Sequence, residues 1–416
     1  MDMDGRVVMK RPMCLRYWSL QLTAILAAAS ATISSSRSVP SLPINEQSGA
    51  VYAPRRWSTI VQLGALADCP CADPVLCLPV ALGPHANQSE KTEVFAFSTT
   101  TDDRWRHYDW DSVTTIAWNE DKDLLCHAHS KGVKVVIKHN FDETDKLCDP
   151  QSRRQWIETT RTRIIANFAD GVNIDTEKPM AGTTARCQTL LVQELRDELL
   201  KHTLTKHAQI TFDVPWAPRG VDGRYYQWRE LAAIVDFFFV MSYDMRSQIY
   251  YQCIAGANSP LALVRQGLEE FLYGYGIPAP KLVLGVPWYG YRYACTSLSD
   301  SFCSIRPEPF FGAPCSDAAG DQHDLAEIQQ LMRALGASVS RHWDAMSQSP
   351  FLVYRNATSG AWTQIWFDDE ESLRAKLTLV RTLGLRGAGM WHADALDYTR
   401  DPDGARRMWH LLAARQ

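Results

Sequence analysis

Asp170-Gly171-Val172-Asn173-Ile174-Asp175-Thr176-Glu177 is the stretch that decides the fold. In an extended chain side chains alternate, so Asn173, Asp175 and Glu177 share one face while Val172 and Ile174 share the other. The apolar face suits burial under helices. If the polar face lined a closed barrel, an amide and two carboxylates would stand where Val, Ile and Leu usually pack. Burying such groups is costly unless they are paired, so the arrangement implies a site. Asp170 has the opposite parity, and a structural hydrogen-bonding role is expected of it.

Outward from this strand the chain alternates regularly. Strand-length apolar runs fall at 93–98, 113–118 and 133–138 before it, and at 209–214, 237–241, 281–286 and 386–390 after it. Helical spacing occupies 151–167, 183–201 (with Leu190, Leu191, Leu195 and Leu199 as the apolar stripe), 228–234, 261–273 and 372–383. The aromatic run Phe237, Phe238, Phe239 reads as core. Eight strands alternating with helices predict an α/β fold, a TIM (β/α)8 barrel with its site at the carboxyl ends of the strands. An insertion of mixed α+β character is expected at about 292–370, between the seventh strand and the last helix. It carries the alternating runs 351–355 and 361–367 around a Gly-containing turn. Such an insertion lies on the site's side of the barrel.

Of the 416 residues, 46% are hydrophobic and 22% charged, with a net charge of −4, which describes a folded globular chain. No basic stripe points to nucleic acid. Arg6, Lys10, Arg11 and Arg16 precede an apolar run at 17–29 and a small-residue exit at 29–31, the pattern of a secretory leader. A weaker signal-like segment ends near 67, and residues 32–67 read as a leader or flexible segment, with the folded domain at 68–416. No stretch reads as a membrane anchor. Cys14 lies in the leader; the other ten of the eleven cysteines are expected in disulfides, since their spacing lacks a zinc pattern. His127 and His129 are read as packing or surface residues. Asn87 and Asn356 occupy N-glycosylation sequons. No cofactor or metal is expected, and a monomer is.

Polar and aromatic residues gather at several strand ends: Asp175 and Glu177, Asp213 and Trp216, Met241, Tyr243 and Asp244, Trp288 and Tyr289, and Trp391. Acids flanked by ring faces suit a sugar, whose C–H faces stack and whose hydroxyls need partners. Residues 170–177 resemble the D-G-x-x-x-D-x-E signature of family 18 glycoside hydrolases, the chitinase family. Met241-Ser242-Tyr243-Asp244, the seven residues 285–291 and the nine residues 312–320 are similar to one branch of it. The likeness runs from about residue 68 to the end.

The resemblance implies a retaining, substrate-assisted glycosidase. Glu177 would be general acid and then base. Asp175 would orient the substrate's 2-acetamido group, whose oxygen is the nucleophile, and Tyr243 would bind that oxygen. Trp391 would floor the sugar, with Asn173, Asp213, Trp216, Met241, Asp244 and Trp288 as further substrate-binding residues. The branch implies removal of the reducing-end N-acetylglucosamine from the N,N'-diacetylchitobiose core of Asn-linked oligosaccharides, in the lysosome. An endo-acting chitinase and a non-catalytic lectin of the same fold are the alternatives. Two departures stand out: Asn173 replaces the family's common aspartate, and Lys138-His139-Asn140 replaces a small Ser-x-Gly-Gly segment.

Overall fold

The computed structural model describes residues 66–86, 91–249 and 252–413; the leader at 1–31 and Asn87 lie outside them. The barrel strands are β1 (Glu93–Phe97), β2 (Thr115–Ala117), β3 (Lys134–Lys138), β4 (Gly171–Ile174), β5 (Gln209–Pro215), β6 (Phe237–Met241) and β7 (Leu282–Pro287). The eighth barrel strand, Gly387–Trp391, becomes β15, because the insertion supplies β8 to β14. All eight pair in parallel and close in the order β1-β15-β7-β6-β5-β4-β3-β2. Between them run α1 (Lys122–Ser130), α2 (Pro150–Ala166), α3 (Gly182–Leu199), α4 (Trp228–Ile234) and α5 (Leu261–Glu269).

Alternation sorts the core into two layers. Outward residues such as Val172, Ile174, Phe212 and Phe238 pack under the helices. Inward, Phe95, Phe97, Phe237 and Phe239 fill the barrel with edge-on and tilted rings, 4.9–5.6 Å apart between Phe239, Phe95 and Phe97 and their neighbours. Two inward glycines make room for them: a Cβ on Gly285 or Gly389 would stand 2.5 or 2.8 Å from the Phe239 ring. Strand β4 ends at Ile174, so Asp175 and Glu177 follow the strand and do not extend it.

In α3 the stripe is Ala185, Gln188, Leu191, Val192, Leu195 and Leu199, whereas Leu190 is exposed, one position off the buried face. The helix expected through 273 ends at Glu269 and continues as a π-turn, Glu270–Gly274. A last helix, α8 (Pro402–Ala413), follows β15 and closes the ring.

The insertion begins at β8 (Tyr289–Ala294), directly after β7, and returns through α7 (Glu370–Thr382). Its antiparallel sheet has the order β11-β8-β14-β13-β12, with β11 (Asp321–Asp324), β12 (Arg341–Asp344), β13 (Ser349–Arg355) and β14 (Trp362–Trp366). The short pair β9 (Ser297–Ser299) and β10 (Phe302–Ser304) and helix α6 (Leu325–Leu335) complete it. Asn356 lies in the β13–β14 turn, where its side-chain Oδ1 accepts from the N–H groups of Thr358 and Ser359. Among the described residues, five disulfides join Cys69–Cys77, Cys71–Cys126, Cys148–Cys187, Cys253–Cys315 and Cys295–Cys303. Among those residues no helix is long and apolar enough to cross a membrane.

Asp170 fixes the start of β4. Its carboxylate accepts from the N–H of Val80 (2.7 Å) and of Val135 (2.8 Å) and pairs with His129 Nε2 (2.9 Å). His127 instead packs between Trp105 and Trp110. Removing one carboxylate thus leaves three donors unmet, two of them buried. Asp170→Ala is expected to destabilise the fold by about 3 kcal/mol, read as a lowered denaturant midpoint; an unchanged midpoint contradicts the framework role.

Candidate active site

The floor of the site is built where β3, β4 and β5 end. Asn173 is wholly buried, and its amide is fully used: Oδ1 accepts from Trp118 Nε1 (2.6 Å), while Nδ2 donates to Asp213 Oδ1 (2.8 Å) and Thr211 Oγ1 (2.9 Å). Asp213 is buried beside it. The sequence pattern assigns both to substrate binding; instead neither lines the cleft, Asn173 having no exposed surface and Asp213 almost none. Burial, and then the charge of Asp175, pushes the Asp213 carboxyl well above its usual range.

Asp175 sits one step above. Asn140 holds its backbone from both sides, Oδ1 accepting from Asp175 N (2.8 Å) and Nδ2 donating to Asp175 O (2.6 Å). Lys138 approaches Asp175 Oδ2 at 3.4 Å and lies 3.5 Å from the centroid of the Trp118 ring. The unusual triplet is thereby explained by parity. Lys138 and Asn140 serve the site, and His139 turns outward to stack on Trp156 at 4.8 Å. Asp175 Oδ1 is buried with no hydrogen-bond partner. Burial, then the charge of Glu177, pushes this carboxyl up to about 6.

Glu177 reaches the open cleft, its side chain 53% exposed. The Tyr226 hydroxyl braces the chain around it, within hydrogen-bond distance of the carbonyls of Thr176 (2.7 Å) and Lys178 (2.6 Å). Glu177 Oε2 pairs with Arg224 Nη1 at 3.0 Å. The cleft, about 210 Å³, is lined by Glu177, Trp216, Met241, Tyr243 and Asp244 from the barrel, by Asp222 and Arg224 from the loop after β5, and by Tyr291, Phe310, Ser316 and Asp317 from the insertion. Trp391 faces the top of the barrel interior, 4.9 Å from Trp118 and 5.2 Å from Phe97.

Asp244 accepts from the hydroxyls of Tyr289 (2.5 Å) and Tyr291 (3.0 Å), and burial raises its carboxyl above the usual range despite both bonds. Burial and the charges of Asp244 and Asp222 push Asp317 up to about 7. Burial likewise raises the Tyr243 hydroxyl, which stays a donor.

Trp288 is the plain correction. It is completely buried and packs edge-on against Trp409 at 5.3 Å, under the outer helices. Alternation through Val283 inward reaches Tyr289, not Trp288. The same parity, carried two residues on, finds Tyr291. Arg224, Asp222 and Phe310 had no signal in the sequence pattern; only the folded loops bring them to Glu177.

With a barrel, paired acids at its carboxyl end and aromatic walls, the chain has the makings of a sugar-cleaving enzyme. The family Glycosyl hydrolases family 18 matches residues 86–395, and the chain belongs to it. It is 38% identical over 361 residues to di-N-acetylchitobiase of Homo sapiens, covering 85% of this chain and 90% of that one. It is 34% identical to probable di-N-acetylchitobiase 2 of Dictyostelium discoideum, over 83% and 90%. A class V chitinase from Nicotiana tobaccum, solved as a mutant in complex with NAG4, has the same fold. Its TM-score is 0.62 at 16% identity, covering 79% of this chain and all of that one.

Asn173 offers a direct test. Asn173→Asp replaces a donor to Asp213 with a third buried carboxyl, so one proton must be held to avoid adjacent like charges. A carboxyl raised in the folded state stabilises it at low pH and loses that contribution as pH rises. The variant is therefore expected to lose little stability near pH 4 and about 2–3 kcal/mol more near pH 7; denaturant midpoints at the two pH values check this, and equal losses contradict it.

Proposed function

We propose that this enzyme hydrolyses the β-1,4 bond between N-acetylglucosamine units, removing the reducing-end sugar from the N,N'-diacetylchitobiose core of Asn-linked oligosaccharides. The observation that carries the reading is the buried, unpartnered Oδ1 of Asp175 beside the exposed carboxylate of Glu177. An acceptor left empty beside the fully paired amide of Asn173 suits an amide N–H brought by the substrate. The names of the relatives, di-N-acetylchitobiase, support the same bond.

In the mechanism, Glu177 protonates the glycosidic oxygen as the sugar's own acetamido oxygen attacks the anomeric carbon, closing an oxazolinium ring. Asp175 receives the amide N–H and balances the positive charge; the Tyr243 hydroxyl donates to the acetamido oxygen. Glu177 then takes a proton from water, which opens the ring with retention. Trp216, Met241, Asp244 and Trp391 grip the ring. Passage through the secretory pathway to the lysosome belongs to this reading and is supported by the five disulfides, which need an oxidising compartment. Glycans on Asn87 and Asn356 and a monomer without a membrane anchor belong to it as well.

Glu177→Gln is expected to abolish turnover while keeping oligosaccharide binding, because an amide cannot supply the proton; equal loss of binding would mark a structural role. A reducing-end-labelled oligosaccharide should release labelled N-acetylglucosamine first. Early cleavage of chitotetraose into equal halves would favour an endo-acting chitinase, and binding without any release would favour a lectin.

The pH profile follows from the carboxylate pair. Acid catalysis needs one proton shared between Asp175 and Glu177, and Asp175 holds it up to about pH 6. As pH rises through that value the proton is lost, so kcat/KM should fall above it by about tenfold per pH unit. A profile flat to about pH 8 contradicts this assignment.

A further inference from the structure

Arg224 is the cation nearest the exposed acid, yet its own side chain is only 5% exposed. Nη1 donates to Glu177 Oε2 at 3.0 Å and Nη2 to Asp222 Oδ2 at 2.9 Å, while Nε points to Val221 O at 3.3 Å. The loop carrying it is anchored independently. Met180 N bonds Gly223 O and Tyr225 N bonds Met180 O, so the segment just after Glu177 and the loop after β5 are tied together. Asp222 is held in turn by Ser247 Oγ at 3.0 Å and by its N–H to Gln248 Oε1 at 3.1 Å. The guanidinium is thus a fixed fork in the cleft wall, with three of its five N–H groups engaged by protein.

We infer that Arg224 is a positioning residue for Glu177: clamped between Glu177 and Asp222, it holds the Glu177 carboxylate at the cleft wall as an ion pair and leaves the catalytic proton on Asp175 until substrate arrives. The inference rests on the reading of Glu177 as the acid. When the acetamido N–H occupies Asp175 Oδ1, the ionised form of Asp175 gains a donor. Its proton passes to Glu177, and the negative charge passes the other way, so the net charge of the pair is unchanged. The arginine lets Glu177 wait as a carboxylate in a cleft already crowded with acids. Glu177 is faced by Arg224 and Asp222 from the loop after β5, by Asp175 on its own segment, and by Tyr243 and Asp244 at the end of β6. Asp213 and Lys138 act from below through Asp175.

The test is kcat and KM against pH on reducing-end-labelled N,N'-diacetylchitobiose for wild type, R224Q, R224K, D222N and E177Q. R224Q removes the cation that stabilises the doubly ionised pair, so its alkaline limb should move up by about one pH unit. Its kcat should fall about tenfold, with KM within about twofold because Arg224 acts through the Glu177 carboxylate. R224K should restore the limb but only part of kcat, since a lysine is a point charge and not a fork. D222N frees the arginine for Glu177 alone and should move the limb down; it carries the test if R224Q is too unstable to assay. Limbs of R224Q and D222N that coincide with wild type overturn the inference, whatever happens to kcat. If E177Q turns over at the wild-type rate, the acid itself is misassigned; if E177Q is inactive and the other limbs do not move, only the role of Arg224 fails.

Discussion

The site depends on one buried side chain that must donate and accept at once. Asn173 accepts from the Trp118 indole and donates to both Asp213 and Thr211, which bind it to the neighbouring strand β5 on one side and to the end of β2 on the other. Neither a carboxylate nor an alcohol of that size meets all three demands: an aspartate has no N–H for Asp213, and a threonine cannot reach across to it. The amide therefore lets a fully buried Asp213 persist without a third acid beside it. In this chain the layer below the catalytic carboxylates carries less negative charge than the family's common aspartate would give. The remaining relief comes from Lys138, which stands over Trp118 and against Asp175.

These two departures from the family pattern act in the same direction. An acid below Asp175 can share a proton with it; an amide cannot. Replacing that acid removes a proton store, and placing a lysine near Asp175 adds a cation, which lowers the cost of ionising it. Both changes favour the ionised form of Asp175, which shifts the working proton from Asp175 toward Glu177. Asn140 makes the shift tolerable mechanically, since its paired bonds to the Asp175 backbone hold that residue although β4 has already ended. The insertion closes the other side: β8 continues β7 upward, so Tyr289 and Tyr291 deliver hydroxyls to Asp244 from a strand rooted in the barrel.

Much of this is legible in the sequence because it follows from periodicity. Eight strand-length runs mark the barrel, and parity alone separates Asp170 from Asn173, Asp175 and Glu177. Parity carried one strand further also exchanges Trp288 for Tyr289 and adds Tyr291. What periodicity does not reach are the loops. Arg224 lies in the loop before α4 and meets Glu177 only because Met180 and the 220–225 turn bond to each other, a contact that no local pattern encodes. Depth is equally hidden: Asn173 and Asp213 have the right face but sit one layer too low to touch substrate, and layer depends on where the barrel's aromatic rings stop.

That layering explains why the carboxyls differ so much along one wall. Asp213 is sealed among neighbours and pushed far upward, Asp175 is buried but has Lys138 and is pushed only to about 6, and Glu177 stands in the cleft with Arg224. The gradient runs from the closed floor to the open mouth, and each step pairs less burial with a closer cation. A proton entering the wall is therefore held deepest first, and the acid that must release it to the leaving group is the one nearest both solvent and substrate. The same strand end that burial makes costly is, for that reason, the place where a proton can be kept and handed outward.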